Sequence, residues 1–399
     1  MTQVILPFYL ASRAIRRGNK GTLIMTILII AMSFVLMVFM PSLLSGLITV
    51  YNQNVEDYLY GDLVIEPSGD DKYITNTEEL LRKVERVPGM TAVSSHMILS
   101  TSIVSDKKSQ SVPVIAITPS DERLVTTTSR IIREGRYLSD GDTDRIFVGA
   151  AVAGHDDEVK DQIPSLGGIH AGDSVMVTFQ NGEIRKMIVS GIFESGFLAA
   201  DQQVFITRKE MESVLGKNDR SSSILVRTVE GIDPSGVKNR LLEFGVRGKV
   251  WLMSEKASAV TGDVIKSFSL ITAIMTIFSL IIASIVIFVI VYINTIHQRR
   301  QIGILKAVGI PELNIIRSYL LQVVFVFVAG IVVGLVLFWG ICEIFLAFPL
   351  RFPPGLVHLI PDMTQLYSSI IVLGIVAIIS GYIPAKRAAK EEILVLVNN

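Results

Sequence analysis

Long uncharged runs alternate with polar segments along the chain and predict where it crosses a membrane. Four intervals between charged residues are longer than the roughly 20 residues that a helix needs to span a hydrocarbon core of about 30 Å. They cover residues 21–55, 267–298, 318–342 and 363–385. We therefore predict a multi-pass membrane protein with transmembrane helices at 21–50, 267–296, 318–342 and 363–385.

The region between the first two predicted spans, 51–266, has the short alternating runs of a folded domain. Strands are predicted at residues 62–65, 112–117, 146–148, 174–179, 187–193, 204–206 and 224–227. Helices are predicted after the capping boxes Thr75–Glu78 and Thr207–Glu210 and over residues 234–244. The fold class is therefore four transmembrane α-helices plus one large mixed α+β domain, which a helix-poor stretch at 91–206 divides into two subdomains.

Lys and Arg are distributed unevenly around the predicted spans. They are concentrated in segments 1–20, 297–317 and 386–399, and the positive-inside rule places such segments in the cytoplasm. The domain at 51–266 and the loop at 343–362 are then extracytoplasmic, both termini are cytoplasmic, and the expected location is the cytoplasmic (inner) membrane. The formal net charge is +0, which gives no reason to expect a nucleic acid partner.

Segments beside the spans allow alternatives. Residues 5–20 have an apolar and a basic face, which fits an interfacial helix on the inner leaflet or a charged flank that only fixes topology. The apolar, proline-rich loop at 343–362 fits a position in the outer headgroup layer or a tight connection between spans. As a helix the run 267–298 would be about 48 Å long, so we expect it, like the first span, to extend beyond the bilayer as a stalk.

The segment QRRQIGILKAVGIPELN, at 298–314, is unusual for a loop because it mixes basic and apolar residues. Good helix formers end at Gly309, a residue typical of a helix C-terminus, and Pro311 suits the start of the next helix. Ile304 and Val308 are four residues apart and so share one face of the predicted helix. This apolar face would be buried by a protein partner or by the inner leaflet, and the periodicity does not distinguish them.

No sequence motif for nucleotide hydrolysis or metal-dependent chemistry is found. The 399 residues contain no G-x-x-x-x-G-K-[ST], H-E-x-x-H or G-x-S-x-G. The acidic run at 155–161 could ligate a divalent cation, although such turns are usually solvated. The cores of the predicted spans lack acidic residues, which argues against a proton-coupled carrier. We therefore expect no enzyme activity, metal or cofactor in this chain, and its lone Cys342 leaves 51–266 without disulfides.

Several segments, taken in order, resemble the FtsX-like, MacB-like permeases of ABC transporters, a family that includes lipoprotein-releasing permeases. They are FYLASRAIRRGNKGTLIMTILIIA, EGRYLSDGDTDRIFVGAAVA, AGDSVMVTFQNGEIRKMIVSGIFESG, QRRQIGILKAVGIPELNIIRSYLLQ and GYIPAKRAAKEEI. The fourth has a basic pair before a core similar to E/Q-I-G/A-I-L-[RK]-x-[LV]-G. The end of the chain departs from the family, because Glu391 and Glu392 stand where relatives tend to have Asp-Pro.

The resemblance implies that the helix within 297–317 is a coupling helix that docks in a groove of an ABC ATPase. The expected contacts match the family core: Arg299, Arg300, Ile302, Gly303, Ile304, Leu305, Lys306, Val308 and Gly309. It also implies two copies of a soluble ATPase subunit, which bind ATP and Mg, and a homodimer or a heterodimer with a homologous permease in membrane lipid.

The function that the resemblance implies is lipoprotein release or export of a hydrophobic or peptide substrate. Movements of the extracytoplasmic domain would be coupled to ATP hydrolysis in the partner. A lipoprotein cargo or an extracytoplasmic adaptor would be a further partner. The alternative is a non-transporting, FtsX-like signal transmitter that activates cell-wall hydrolases.

Overall fold

The computed structural model describes residues 20–69, 71–106, 108–157, 161, 163–216, 219–297, 303–304 and 306–390. The chain divides into two compact units. The helical unit comprises Met1–Gly46, Val264–Leu350 and His358–Asn399, and the α+β unit comprises Leu47–Asp263 and Arg351–Val357. The predicted interfacial helix within 1–20 and the tail beyond residue 390 lie outside the described residues.

Four long helices account for most of the helical unit: α1 (Lys20–Val55), α8 (Met253–His297), α9 (Glu312–Ala347) and α10 (Met363–Lys390). Each includes a stretch that is long and apolar enough to cross a membrane, which confirms the predicted four-helix membrane fold. α8 has 45 residues, so it is about 68 Å long and exceeds a hydrocarbon core of about 30 Å by far. Its apolar, membrane-length part begins at Ile265.

Small residues bring α9 close to α1. Gly330 and Gly334 are four residues apart, and a Cβ at Gly330 would lie 2.7 Å from Ile30 Cγ2. A Cβ at Gly334 would lie 2.9 Å from Phe34 Cδ1. Close packing of this kind stabilises helix pairs in membranes, where lipid is as apolar as the helices and burial itself gives little. Phe34 is fully buried as a result.

The α+β unit is built from short strands and helices between α1 and α8. Its strands are β1 (Leu63–Glu66), β2 (Ile74–Thr75), β3 (Met90–Val104), β4 (Ser109–Ile117), β5 (Ile132–Gly135), β6 (Arg145–Gly149), β7 (Ser174–Phe179), β8 (Ile184–Phe193), β9 (Val204–Thr207), β10 (Arg220–Ser221), β11 (Ser223–Thr228) and β12 (Lys249–Leu252). Its helices are α2 (Thr77–Glu85), α3 (Pro119–Val125), α4 (Ala150–Ala153), α5 (Leu198–Asp201), α6 (Arg208–Leu215) and α7 (Pro234–Glu243). A hairpin of β13 (Leu350–Phe352) and β14 (Gly355–Val357) connects α9 to α10.

Strand β3 belongs to both halves of the α+β unit. Its first part pairs with β11 in an antiparallel sheet ordered β12-β1-β11-β3. Its second part pairs with β4 and β7, and the circuit β3-β4-β9-β6-β8-β7 closes as a barrel. One hydrophobic core fills the barrel and another lies between the sheet and helices α2 and α7. The α+β unit therefore contains two separate hydrophobic cores.

Local signals predict some elements of this unit and not others. Thr207 caps α6 as predicted, since its Oγ1 accepts a hydrogen bond from Glu210 N–H at 3.1 Å. The prediction that Thr75 caps α2 is wrong, because Thr75 lies in β2 and the cap is Asn76, with a left-handed φ of 55°. β3 was not predicted, because its residues 93–96 are all buried and a strand covered on both faces loses the alternation that identifies strands.

Candidate docking site for a partner subunit

The connection between α8 and α9 ends in a short helical turn. Residues 303, 304, 306 and 307 are helical, and Val308 N–H donates to the Ile304 carbonyl at 3.1 Å. Gly309 follows with a φ of +87°, a left-handed conformation that commonly terminates helices. Pro311 then caps α9. The predicted glycine stop and proline start are therefore confirmed.

Lys306 fastens this turn to two helix ends. Its Nζ donates to the Ala389 carbonyl, at the C-terminal end of α10, at 2.8 Å. The same ammonium contacts Glu312 Oε1, at the start of α9, at 3.1 Å. The Lys306 side chain is only 12% exposed, and a cation at a helix C-terminus is favourable because the last carbonyls carry partial negative charge. The turn is thus held from inside by a charged side chain.

The opposite side of the turn is apolar and uncovered. Ile304 is 53% exposed and Val308 is 77% exposed. In contrast, Gly303 is buried, and Ile310 packs against the core of the helical unit. The turn therefore has an inner side that anchors it and an outer side, defined here as the Ile304–Val308 pair, that lacks any covering in the described chain.

The residues predicted to contact an ATPase divide into three groups. Ile304 and Val308 lie together on the exposed side, whereas Gly303 and Lys306 lie on the inner side. Gly309 shapes the end of the turn. The remaining four, Arg299, Arg300, Ile302 and Leu305, lie outside the described residues. The family resemblance grouped Lys306 with the contacts, and the sequence gives no sign that its side chain binds the carbonyl of Ala389, far along the chain.

Within the α+β unit, the ends of α1 and α8 pack around α5. Val55 of α1, Ala200 of α5 and Met253 of α8 are buried in one cluster with Phe197. The rings of Tyr51 and Phe197 meet edge to face with centroids 5.6 Å apart, a favoured aromatic geometry. Within the α+β unit, the ends of the two long helices thus form a packed joint with α5. Sequence analysis missed this joint because Phe197 is distant from both helices in the chain.

An ionic network also fixes the passage from α1 into β1. Arg227 Nη1 contacts Glu56 Oε1 at 3.2 Å and Asp62 Oδ1 at 3.1 Å. Its Nη2 donates to the Val125 carbonyl at 2.8 Å. Asp62 Oδ2 in turn accepts hydrogen bonds from Thr228 N–H and Oγ1, both at 2.6 Å. Charge-assisted bonds of this kind are stronger than neutral ones, so the end of α1 is held against the sheet.

A buried acid lies where the sheet gives way to the barrel. Glu122 of α3 is fully buried and accepts hydrogen bonds from Ser94 Oγ at 2.6 Å and Thr126 Oγ1 at 2.9 Å. His96 Nε2 is 2.7 Å from the same carboxylate. Burial raises the pKa of Glu122, but the charge and hydrogen bond of His96, with the two hydroxyls, outweigh burial and lower the pKa below its usual value. Pairing with β11 ends at His96 and pairing with β4 begins at Met97.

The acidic run at 155–161 does not form a metal site in the part that the structure describes. His155 Nδ1 lies 2.9 Å from Asp161 Oδ1, and Ser165 Oγ donates to the other oxygen of Asp161. Among the described residues, no group of three or more His, Cys, Asp and Glu side chains has the geometry to hold a metal ion. The carboxylate of Asp161 instead closes a local turn.

Comparison with protein families finds a match over part of the helical unit. Residues 273–393 match the family of FtsX-like permease C-terminal regions. The match covers α8 from residue 273 onward, the turn that carries the Ile304–Val308 pair, α9 and α10. The resemblance to FtsX-like permeases predicted from the sequence is therefore confirmed over these residues.

Individual relatives extend the similarity beyond that region. An uncharacterized ABC transporter permease of Methanocaldococcus jannaschii is 24% identical over 267 residues, 65% of this chain and 63% of that protein. The macrolide export ATP-binding/permease protein MacB of Hahella chejuensis is 23% identical over 180 residues, 42% of this chain and 26% of that protein. The crystal structure of the periplasmic region of MacB from Actinobacillus actinomycetemcomitans covers 50% of this chain and 91% of its own, with 12% identity and a TM-score of 0.37. The chain thus spans less than two thirds of either sequence relative.

Proposed function

We propose, on the premise that residues 273–393 form an FtsX-like permease C-terminal region, that this chain is the permease of an ABC transporter of the MacB/FtsX type. A separate ABC ATPase subunit, in two copies, binds ATP and Mg and docks on the Ile304–Val308 pair. Two permease chains complete the assembly. Both termini are cytoplasmic and the α+β unit is extracytoplasmic.

The exposure of the Ile304–Val308 pair is the observation that carries this proposal. Full burial of an aliphatic side chain contributes about 1.5–3 kcal/mol relative to water, so the pair would contribute about 3–6 kcal/mol before the costs of association. The small size of the patch suits the tip of a helix inserted into a groove, with the apolar side chains as anchors. A rigid turn also loses less conformational entropy on binding than a flexible loop.

Lys306 has a positioning role in this proposal. Its bonds to Ala389 and Glu312 connect the turn to the ends of α10 and α9. A force applied by the ATPase to Val308 would therefore reach two helices directly. A flexible loop in the same place would absorb the movement.

The long helices provide the route to the α+β unit. α8 is continuous from Met253 to His297, and a continuous helix transmits a displacement along its axis because its hydrogen bonds are all internal. The packed joint around Phe197 and the network around Arg227 connect the helix ends to the strands. ATP hydrolysis would thus change the arrangement of the α+β unit.

The substrate in this proposal is apolar or lipid-linked. The relative from Hahella chejuensis is named for macrolide export, and we propose for this chain either export of a hydrophobic or peptide substrate or release of lipoproteins. Both reactions fit a permease whose moving part faces the outside. Neither needs a cofactor bound to this chain.

Reconstitution with an ABC ATPase tests the proposal. The full chain in nanodiscs should bind a soluble ABC ATPase subunit and raise that subunit's rate of ATP hydrolysis. A complex blocked in hydrolysis should retain its cargo, which mass spectrometry would identify as a lipoprotein, a peptide or a small hydrophobic molecule. A chain that neither recruits the ATPase nor alters its rate would overturn the proposal.

A further inference from the structure

The sheet and the barrel of the α+β unit share strand β3, and the pairing partner of this strand changes at one peptide bond. Register pairs with β11 run from Met90 to His96, and those with β4 run from Met97 to Val104. No residue of β3, all of which the structure describes, pairs with both neighbours. The ladder of hydrogen bonds is therefore divided between His96 and Met97, and we call this point the β3 junction.

The two parts of β3 contribute to different hydrophobic cores. Val93, before the junction, lies in the core between the sheet and helices α2 and α7. Leu99 and Ile103, after the junction, lie in the core of the barrel. Hinges in proteins are a few residues between bodies that each keep their own packing. A rotation at the β3 junction would therefore leave both cores packed.

Helix α3 connects the two bodies beside this junction. It begins at Pro119, two residues after β4 ends at Ile117, so the chain attaches it to the barrel. Its side chains pack on the sheet instead, because Val125 is buried in one cluster with Val64 of β1 and Leu225 of β11. The position of α3 on the sheet therefore determines how the sheet is held relative to the barrel.

Glu122 provides the polar part of this attachment. Its carboxylate is fully buried, accepts from Ser94 Oγ at 2.6 Å and lies 2.7 Å from His96 Nε2. Ser94 and His96 both belong to the part of β3 that pairs with β11. Hydrogen bonds to a charged group are stronger than neutral ones, and a buried carboxylate without partners is strongly unfavourable. These bonds therefore favour one arrangement of α3 on the sheet.

Other bonds near the junction are less deeply buried. Ser222 N–H donates to the His96 carbonyl at 2.8 Å, and Ser222 Oγ accepts from Ile98 N–H at 3.0 Å. Arg208 Nη1, on α6, donates to Ser95 Oγ at 2.9 Å, and the Arg208 side chain is 19% exposed. Water can compete with these bonds more readily than with those of Glu122. The Glu122 carboxylate is therefore the strongest of these described attachments.

We propose that the β3 junction is a hinge between the sheet and the barrel, and that the Glu122 carboxylate holds this hinge closed. While Glu122 is bonded to Ser94 and His96, the sheet and α3 move as one body. When these bonds break, the sheet turns relative to the barrel about the backbone between His96 and Met97. The hinge lies entirely within the α+β unit and does not depend on an ATPase partner.

Distances between two spin labels test the hinge in the full chain in nanodiscs. Cys342→Ala removes the lone cysteine, and this parent then carries Glu79→Cys on α2 and Lys186→Cys on β8, both at exposed positions. Labelled chains are diluted with unlabelled chains so that only distances within one chain are measured. We expect a narrow distribution in this parent. Glu122→Gln, which removes the charge but retains the shape of the side chain, should give a wider distribution or a second population.

Two controls separate a hinge from general loosening of the fold. Labels at Lys186→Cys and Ser111→Cys both lie on barrel strands at exposed positions, so their distance should not change in Glu122→Gln. Asp161→Asn makes the same change of carboxylate to amide in the loop between α4 and β7, where Asp161 has a histidine and a serine partner of its own. It should leave the distance between the labels at 79 and 186 unchanged.

Two results would overturn the hinge. One is a Glu122→Gln distribution between the labels at 79 and 186 that matches the parent distribution while the barrel distance is also unchanged. The other is equal widening in Asp161→Asn or between the two barrel labels, because the whole unit would then be loosened. Should Glu122→Gln fail to fold, Ser94→Ala removes one hydrogen bond to the same carboxylate and should widen the distribution to a smaller extent. A Ser94→Ala distribution identical to that of the parent would then decide against the hinge.

Discussion

The two short connections between the helical spans both expose apolar side chains, but different bonds hold them in place. The turn at 303–309 and the hairpin at 350–357 both expose aliphatic side chains, and each is fastened on its other side by polar bonds. The turn is held by a charged side chain, Lys306, that reaches a carbonyl of α10. The hairpin is held through its own backbone carbonyls, which accept from Asn54 and Leu198.

The difference teaches how to interpret exposed apolar residues in a membrane protein. At the hairpin, the exposed Leu356 lies on a short strand next to Gly355, and the neighbouring carbonyls of Pro353 and Pro354 are bonded to Leu198 and Asn54. At the turn, the Ile304–Val308 pair follows a basic segment, and Gly309 ends the helix directly after Val308. These two exposed aliphatic side chains are the anchors that our proposal assigns to the ATPase contact. Our proposal therefore places the ATPase contact at the turn and not at the hairpin.

Placing charge on the turn should have the largest effect. Ile304→Asp with Val308→Asp should abolish stimulation of the ATPase, because loss of a buried interface anchor costs about 2 kcal/mol or more, and each such step weakens affinity about thirtyfold. ATP hydrolysis measured against permease concentration gives the change. The matched control, Leu356→Asp in the hairpin, should leave half-saturation by the ATPase unaltered, and equal loss in both variants would remove the distinction between the two connections.

Glu122→Gln, inside the α+β unit, should lower the thermal stability of the protein without affecting the turn at 303–309 or the hairpin at 350–357. Glu122→Gln removes the charge that His96, Ser94 and Thr126 surround, and breaking a buried charged pair costs about 3–5 kcal/mol. Thermal unfolding of the full chain in detergent measures this loss. ATPase half-saturation at a temperature where the variant is folded should match the parent protein.

The stabilising contribution of Glu122 should depend on pH. The pKa of Glu122 is lower in the folded protein than its usual value of 4.5, so its stabilising contribution is complete above that value and is lost as the pH falls through the folded pKa. The melting temperature of the parent protein should therefore fall faster with acidification below pH 4.5 than that of Glu122→Gln. Parallel curves would show that folding does not lower the pKa of Glu122.

Loosening the turn should have a smaller effect than charging it. Lys306→Met removes hydrogen bonds from a largely buried ammonium group, and hydrogen bonds to charged groups contribute about 1.5–3 kcal/mol. We expect ATPase half-saturation to rise about tenfold, with hydrolysis at saturation also reduced because the turn no longer transmits force. Glu122→Gln serves as a stability control here. Glu312→Gln removes only the half-exposed partner of Lys306. The binding free energy of the ATPase should then change by about 1 kcal/mol or less, which is about a fivefold change in the half-saturating concentration.

Changing the helix stop should have the smallest effect. Gly309 has a positive φ. Among the described residues, apart from its two chain neighbours, no heavy atom lies within 4 Å of the position that a Cβ would take, so Gly309→Ala should add backbone strain of about 1 kcal/mol without a clash with these residues. Gly309→Asn should be milder, since asparagine tolerates the left-handed conformation. In the hairpin, Gly355→Ala adds a contact with Asn54 and should be more damaging. Titration with the ATPase measures the effect of the two Gly309 variants. Hydrogen exchange at Leu198 measures the effect of Gly355→Ala.

Local sequence signals predicted the elements that depend on local physics. The spans follow from length and hydropathy, and Gly309, Pro311 and the Thr207 cap follow from backbone preferences that operate over a few residues. β3 could not be predicted because Ser94 and His96 are buried through hydrogen bonds to Glu122, so polar residues stand where a strand pattern expects apolar ones.

The candidate site was predicted in position but not in its division of roles. Four-residue spacing placed Ile304 and Val308 on one face, and the structure leaves both exposed. The inward bonding of Lys306 depends on Ala389, a carbonyl supplied by another helix. The hairpin's attachment to Asn54 and Leu198 likewise depends on tertiary contacts. Contacts between distant segments leave no periodic signal in a single sequence.

Photocrosslinking from Val308 tests the central claim most directly. A benzoylphenylalanine placed at Val308 of the full chain in native membranes should form an adduct with a nucleotide-binding subunit, identified by mass spectrometry and by labelling with an azido-ATP probe. The same group at Leu356 should not form that adduct. The account is contradicted if Val308 crosslinks only to lipid while the ATPase remains bound, because the turn would then rest on the membrane and the ATPase would dock elsewhere.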